Sequence, residues 1–217
     1  MAQRKDGREK RDALLEAALD VFIEKGYPDA TVAEISQHAD ANIAAINYHF
    51  GSKEALYIEV WTRAFAQADR EAPWSGAVAE NAPPQQRLKG MIAGVLSRIL
   101  KHGAQSRSGR LLLQEMARPT AVLNETRRAA TEPIRNKMFT ICAQLLGPES
   151  RPAEAAKCAQ SIMHQMLAIG FRGGKKPLLL GEGAFTDAEV DELIEHTYRF
   201  SMGGIAAVRN WVEQENP

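Results

Sequence analysis

The side chains with the clearest chemical potential lie in a short stretch, residues 31–53. Asn47 carries a carboxamide that can donate to and accept from one adenine edge. Asn42 would begin a helix, whose N-terminal amides attract anions such as phosphates. Methyl groups, which suit the C5-methyl of thymine, come from Ile43, Ala44 and Ala45. These residue types at this spacing predict a surface that contacts double-stranded DNA.

The first predicted helix in this stretch begins after Thr31, whose hydroxyl suits an N-cap. Apolar residues then recur at helical spacing at Val32, Ile35 and Ala39. The turn that follows contains Asp40, a residue type that enters the left-handed backbone region more readily than most. The stretch therefore begins with a short amphipathic helix and a tight turn.

The second predicted helix begins after Asn42, another N-cap residue. Ile46 and Phe50 lie four residues apart on its inner face, so the opposite side faces outward. Gly51 is placed to end this helix, and Ser52 to cap the next one. Such a pair of helices predicts a helix-turn-helix, whose second helix enters the DNA major groove. An ordinary corner between two helices has the same spacing and stays open as the alternative.

The residues of this stretch also resemble the DNA-binding domain of TetR-family transcriptional repressors. The shared features are Gly26-Tyr27, the Thr31-Val32 helix start, the Ile46 and Phe50 pair, and Ser52-Lys53-Glu54. Within that family, residues 42–46 and 51–54 are similar to the subgroup of the CecR regulators. The resemblance is most specific over residues 8–60 and implies a homodimer that binds a pseudo-palindromic operator.

By this resemblance, four polar side chains lie at positions that contact DNA phosphates: Thr31, Tyr48, His49 and Lys53. For Tyr48 and His49, a packed ring with a satisfied polar tip is the alternative. Two residues depart from the family pattern. Asp40 stands where glycine is usual in the turn, and Asn47 stands where tyrosine is common.

Composition limits the possible functions of the chain. Its 217 residues include 45% hydrophobic residues, which is enough for a sizeable core. A formal net charge of zero argues against a protein that coats DNA through bulk charge, since that needs excess Lys and Arg. Cys142 and Cys158 are too few and too far apart for a disulfide framework or a metal site. No signal peptide or membrane span is visible, so we expect a cytoplasmic protein. No residue pattern suggests a cofactor or a metal ion, and we expect neither.

Helical periodicity, with glycine and proline at the breaks, predicts an all-α protein. We expect a three-helix DNA-binding domain over residues 1–52 and a helical regulatory and dimerisation domain over residues 53–217. Helices are predicted at Ser52–Arg70, Gln85–His102, Arg110–Ala117 and Thr120–Leu146, from Pro152, and from Thr186. Leu178–Leu180 is the one strand candidate, and it is too isolated to pair.

The C-terminal half resembles the CecR-like subgroup more weakly, through Glu115–Thr120 and the loop Gly174–Phe185. That resemblance implies a regulatory domain with a ligand cavity. Adaptable or polar residues are candidates to line it: Met116, Met138, Met163, His164 and Met166. Core filling is the alternative for each methionine. The middle of the chain is locally basic at Arg107, Arg110, Arg118, Arg127 and Arg128, which fits a solvated face or, less commonly, an anion-binding pocket.

The same resemblance implies dimerisation through the last two long helices. Helical spacing gives a seam on each of them, in which small residues allow close approach. The predicted dimer interface comprises Ala156, Ala159, Met163, Met166, Leu193, Thr197, Ser201, Gly204 and Val208.

These patterns together predict a homodimeric, ligand-responsive transcriptional repressor that a small-molecule effector releases from its operator. The sequence carries no His-Glu-x-x-His, Gly-x-Ser-x-Gly or phosphate-loop motif, so we expect no enzyme. Two rival interpretations remain. One is a helical enzyme or small-molecule carrier with a structural N-terminal domain, and the other is a low-specificity architectural DNA binder.

Overall fold

The computed structural model describes residues 2–103, 105–170, 172 and 175–215. Gly174, at the start of the loop used in the C-terminal resemblance, lies outside these residues. The described helices are α1 (Ala2–Asp29), α2 (Val32–His38), α3 (Ile43–Phe50), α4 (Lys53–Glu71), α5 (Pro84–Ser97), α6 (Arg107–Ala117), α7 (Asn124–Leu146), α8 (Pro152–Gly170) and α9 (Asp187–Glu215). A π-helical segment, Arg98–His102, continues α5.

The all-α prediction is confirmed. Within the described residues no strand occurs, and Lys175 and Ala184 form one isolated antiparallel bridge. Leu178–Leu180 is a short 3₁₀ turn. Every described helix is either too short or too polar to traverse a lipid bilayer.

The helix ends at the N-terminus follow the predicted caps. Thr31 accepts a bond from the Glu34 amide, and the Glu34 carboxylate accepts one from the Thr31 amide, which completes a capping box. Asn42 caps α3 through the Ala44 amide at 2.9 Å. The turn residue Asp40 has a φ of 47°, so the left-handed conformation predicted for it is present.

The buried apolar residues form two clusters. The first joins α1, α2, α3 and α4 around fully buried side chains such as Phe22, Ile35, Ile46 and Leu56, and it continues to Leu111 of α6. The second fills the space between α5, α7, α8 and α9. Because α4 and α6 pack with the first cluster, the core of the N-terminal domain continues past residue 52. The boundary at 52/53 therefore stays a proposal.

A loop after α4 is held against α5 by two glycines. A β-carbon on Gly94 would lie 2.5 Å from the Pro73 carbonyl oxygen, and one on Gly90 would lie 2.7 Å from the Ser75 oxygen. Only glycine permits such a close backbone approach. This packing fixes Trp74, on the same loop, against the second cluster.

Candidate nucleic-acid interface and ligand cavity

The outer face of α3 is exposed over its whole length. Tyr48 is 85% exposed and Ile43 is 46% exposed, whereas Ile46 is completely buried. The remaining outward residues predicted to contact DNA divide into exposed Thr31, Asn42, Ala44 and Asn47, and half-buried Ala45 and His49. The packed-ring alternative does not hold for Tyr48. His49 lies between the rings of Tyr48 and Phe50, with ring centroids 5.0 and 6.1 Å away.

Lys53 is engaged by the protein itself. Its Nζ donates to the carbonyl oxygens of Tyr27 and Ala30, each at 2.8 Å, and lies 4.5 Å from the centroid of the Tyr27 ring. Pro28 O is a third, longer neighbour at 3.4 Å. The ammonium group has three N–H donors, and these carbonyls can take all of them. The predicted phosphate contact of Lys53 would have to compete with these bonds.

A cavity of about 410 Å³ lies between α4, α6, α7 and α8. One side is aromatic. Trp61 and Phe65 of α4 stack with ring centroids 5.1 Å apart, and Trp74 lies 5.9 Å beyond Phe65. Further apolar lining comes from Ile99, Leu112, Leu113, Met116, Met163 and Leu167. This size and lining fit a small-molecule site.

A second part of the cavity lining is largely polar and basic. Residues of α7 that repeat with helical spacing line it: Asn124, Arg127, Arg128, Thr131, Ile134 and Arg135. Arg98, which lies against the aromatic rings, adds a fourth guanidinium; it is 5% exposed, bonds to Asp69 and lies 4.0 Å from the Trp74 ring centroid. Burial lowers the pKa of Arg98 to about 10, so it remains charged at neutral pH.

A buried carboxylate connects the cavity to α4. Glu115 of α6 lines the cavity and is 2% exposed. It accepts hydrogen bonds from the Tyr57 hydroxyl at 2.9 Å, the Thr120 amide at 2.7 Å and the Arg127 guanidinium at 2.5 Å. Burial, followed by the negative charge of Glu115, raises the pKa of Tyr57 well above its ordinary value. The phenol therefore stays protonated and remains the donor.

Helix α6 also contacts the N-terminal domain at its other end. Arg107 donates to Asp20 and Glu16 of α1, each at 2.8 Å. The same helix lines the cavity through Leu112, Leu113 and Met116. α6 therefore lies between the cavity and the helices that carry α3.

The predicted ligand residues separate into three groups. Met116 and Met163 line the cavity. Met138 and Met166 do not, because both are completely buried in the second core cluster, where core filling accounts for them. His164 does not line it either, since it is exposed on α8 and contacts Gln160 at 2.8 Å.

The residues of the predicted dimer seam also fall into groups that differ in burial. Four of its residues are buried within one protomer: Ala159, Met166, Thr197 and Ser201. Such side chains cannot meet a partner directly. Met163, Leu193 and Val208 are half-buried, while Ala156 and Gly204 are exposed. The seam was predicted from the helical spacing of its residues, and this spacing does not distinguish residues of the protomer core from residues of a dimer interface.

Several residues around the cavity were missed at the level of sequence. Trp61 and Phe65 lie on a helix whose apolar residues were expected to fill the core, and Trp74 lies in a loop that was expected to be a linker.

The exposed Phe200 and Trp211 of α9, at 62% and 45%, were also missed. A check for large apolar residues opposite the buried stripe of α9 would have found this pair.

In the described residues, no group of His, Cys, Asp and Glu is arranged to hold a metal ion.

Both halves of the chain match known protein families. Residues 84–205 match the family described as "HTH-type transcriptional dual regulator CecR, C-terminal domain", and residues 14–60 match "Bacterial regulatory proteins, tetR family". The chain is 29% identical to the dual regulator CecR of Shigella flexneri over 202 residues, or 88% of each chain.

Two solved structures share the fold. A transcriptional regulator from Pseudomonas aeruginosa PAO1 aligns with a TM-score of 0.69 at 18% identity and covers 94% of each chain. AibR, in complex with isovaleryl coenzyme A and operator DNA, aligns with a TM-score of 0.63 at 19% identity. That alignment covers 85% of this chain and 96% of AibR.

Proposed function

Because the chain belongs to the CecR family of TetR-type transcriptional regulators, we propose that it binds an operator as a homodimer and releases it when a small molecule fills the cavity. The observation that carries this proposal is the position of α4. Its first residue follows the α3 turn directly, and Trp61 and Phe65 further along it line the cavity. A ligand in the cavity therefore contacts the helix that supports the DNA-contact surface.

The proposed DNA contacts follow from the exposed face of α3. Asn47 reads an adenine edge in each half-site, next to thymine methyl groups that meet Ile43, Ala44 or Ala45. Asn42 and the α3 N-terminus bind a phosphate. Thr31, Tyr48 and His49 supply further phosphate donors from the edge of the same surface. Lys53 acts on the turn that precedes α2, where its carbonyl bonds lie.

The proposed dimer uses an exposed stripe on α9. Phe200 and Trp211 lie eleven residues apart on one side of this helix. The positions between them on the same side are exposed and small: Gly203, Gly204 and Ala207. A central groove of small residues with an aromatic ring at each end suits the close packing of two identical helices around a twofold axis. Ala156 of α8 remains in the proposed interface, with half-buried Leu193 and Val208 at its edge.

The proposed release mechanism requires a ligand that prefers one state of the dimer. An effector can weaken DNA binding only by the difference in its affinity for the DNA-bound and released states. α4 and α6 both line the cavity and both contact the N-terminal core. We therefore propose that the ligand changes the position of α4 relative to α6. A small shift of α4 changes the spacing of the two α3 helices, which must match one DNA turn of about 34 Å.

The cavity is proposed to bind its ligand without catalysis, in a cytoplasmic protein. AibR, which shares the fold, has been solved with isovaleryl coenzyme A and operator DNA together. For the present chain we carry over only the general arrangement of a DNA-binding regulator with a small-molecule ligand. The chemical class of that ligand is argued separately below.

Footprinting on the DNA that flanks the protein's own gene tests the proposal. We expect a protected pseudo-palindrome, bound roughly a thousandfold or more tighter than random duplex. Comparable binding to specific and random DNA would instead indicate an architectural DNA binder. Lack of any DNA binding, combined with turnover of a substrate, would indicate an enzyme.

A further inference from the structure

We infer that the cavity binds a small molecule with a flat apolar body and an anionic head, and that Arg128 and Arg135 hold the head. The inference rests on the proposed function in one respect, because it takes the cavity as the effector site. It names the class of that effector and the residues that select it.

The first support is a pair of guanidinium groups without acidic partners. Arg128 and Arg135 lie seven residues apart on α7, on the face that lines the cavity. Within the described part of the chain, Arg135 donates to the Thr131 hydroxyl at 3.1 Å and to the Arg128 carbonyl oxygen at 3.5 Å, and neither side chain pairs with a carboxylate. The other two cavity arginines are already engaged, Arg98 by Asp69 and Arg127 by Glu115. Both side chains line the cavity and are exposed to solvent, so no carboxylate of the described residues competes with a ligand anion for them.

The charge balance of the cavity favours an anionic ligand over a cationic one. Four arginines line it, against the carboxylates of Glu71 and Glu115. Glu115 already accepts from Tyr57, Thr120 and Arg127, so it has little capacity left to hold a cation. A cationic ligand would have to lie beside unpaired guanidinium groups, whereas an anion would satisfy them in the bidentate geometry that arginine favours.

The second support is the aromatic part of the cavity lining, which suits a flat apolar body. Trp61 stacks on Phe65, Trp74 is tilted against Phe65, and the Arg98 guanidinium lies 4.9 Å from the Phe65 ring centroid. Trp61 is 3% exposed, and its indole N–H has no hydrogen-bond partner within the described residues, as is also true of Trp74. Buried indole N–H groups usually find an acceptor. A ligand with oxygen atoms could supply one.

Calorimetric titration with a matched pair of probes tests the inference. We would titrate the full-length chain with 2-naphthoate and with 2-naphthalenemethanol, which share a body and differ in charge. The carboxylate should bind roughly tenfold or more tighter than the alcohol, as expected for hydrogen bonds to a charged group. In a chain carrying Arg128→Gln and Arg135→Gln, this preference should fall to about twofold or less.

Arg110→Gln is the matched control, because Arg110 is an exposed arginine of α6 that does not line the cavity. It should keep the preference for the carboxylate. Circular dichroism on each variant establishes that it is folded. Equal affinity for the two probes in the wild-type chain, or binding of neither, would overturn the inference. So would a carboxylate preference that survives loss of both arginines.

A third titrant, isovaleryl coenzyme A, separates two sources of the anion. If it binds more tightly than 2-naphthoate and also depends on Arg128 and Arg135, the head is a phosphate of a larger conjugate, and the inferred class stands. If it does not bind while 2-naphthoate does, the head is a free carboxylate. These outcomes are separate from the proposed function, which fails only if operator binding is absent or is indifferent to a bound ligand.

Discussion

The hydroxyl of Tyr57 donates a hydrogen bond to Oε2 of Glu115 over 2.9 Å, and this bond joins α4 to α6. Both residues are buried, at 3% and 2% exposure. Glu115 also pairs with Arg127, which lines the cavity beside the two unpaired arginines. A ligand that shifts Arg127 would therefore change the donors around this buried carboxylate. We propose that the Tyr57 bond is the contact by which α4 would respond.

The buried phenol of Tyr57 should make the protein sensitive to alkaline pH. Its pKa is raised in the folded state by burial and then by Glu115, above the ordinary value near 10. Above pH 10, the unfolded chain therefore binds fewer protons at this site than the folded chain, and the free energy of unfolding falls as pH rises. Urea denaturation between pH 9 and 11 should show this fall.

Tyr57→Phe should reduce the alkaline slope, although Tyr27, whose pKa is also raised by burial, leaves part of it. Tyr198→Phe serves as the control, because Tyr198 is a half-buried tyrosine of α9 that lies outside the Glu115 hydrogen-bond group. An identical slope in wild type and Tyr57→Phe would show that the phenol is not held protonated by its surroundings.

Asn47 should read a base. It is exposed on α3 one residue after buried Ile46, and a carboxamide can pair with adenine N6 and N7 together. Asn47→Ala should cost about 1–3 kcal/mol on the true operator and relax the preference at one base-pair position of each half-site. Selection of binding sites from random duplexes by both proteins measures this. An unchanged consensus with uniformly weaker binding would make Asn47 a phosphate anchor.

Gly204→Trp should produce monomers with an intact fold. A β-carbon on Gly204 meets no atom within 4 Å in the protomer, so the indole has room there and obstructs only a partner. Sedimentation at micromolar concentration should show a dimer for wild type and a monomer for the variant, with operator affinity lost in parallel. Ala206→Trp, exposed on a different side of α9, is the control and should stay dimeric. A dimeric Gly204→Trp would exclude this stripe as the interface.

Lys53→Ala should weaken DNA binding by loosening the turn before α2. The side chain holds the carbonyls of Tyr27 and Ala30, so we expect equal losses on specific and random DNA with an unchanged salt dependence. If Lys53 instead contacts a phosphate, as the family resemblance implied, the slope of log affinity against log salt concentration should fall by roughly one unit in the variant. Binding measured from 50 to 300 mM salt separates the two roles.

The fold of the N-terminal domain was predictable because its signals are local. Thr31, Asn42 and Ser52 cap helices through amides two or three residues away, so the sequence alone carries the geometry. Asp40 and Gly51 likewise adopt the positive φ that their positions required. The bonds of Lys53 to carbonyl oxygens were not predicted, because these partners lie 23 or more residues away in the chain.

The cavity and the interface were less predictable because they depend on which apolar face packs inward. Met138 and Met166 share the spacing of a lining residue but lie in the core. Thr197 and Ser201 belong to the buried side of α9, whereas the stripe with Phe200 lies on the exposed side. Arg127 and Arg128 of α7 belonged to the predicted basic cluster and Arg135 did not, and that these three line one cavity with Trp61 and Phe65 is a tertiary property.

A cavity-filling substitution tests most directly whether occupancy of the cavity controls DNA binding, because it needs no knowledge of the ligand. Met163 of α8 is half-buried and lines the cavity, and Met163→Trp would place an indole inside it. Gln165→Trp, two residues further on an exposed position outside the cavity, is the matched control.

Operator affinity, measured by gel shift on folded, dimeric proteins, is the decisive quantity. We predict that Met163→Trp binds operator at least fivefold more weakly than wild type, within the usual range of coupling between an effector site and a distant site, and that Gln165→Trp binds within about twofold of wild type. Wild-type affinity in a folded, dimeric Met163→Trp would contradict the central claim that filling this cavity releases the DNA.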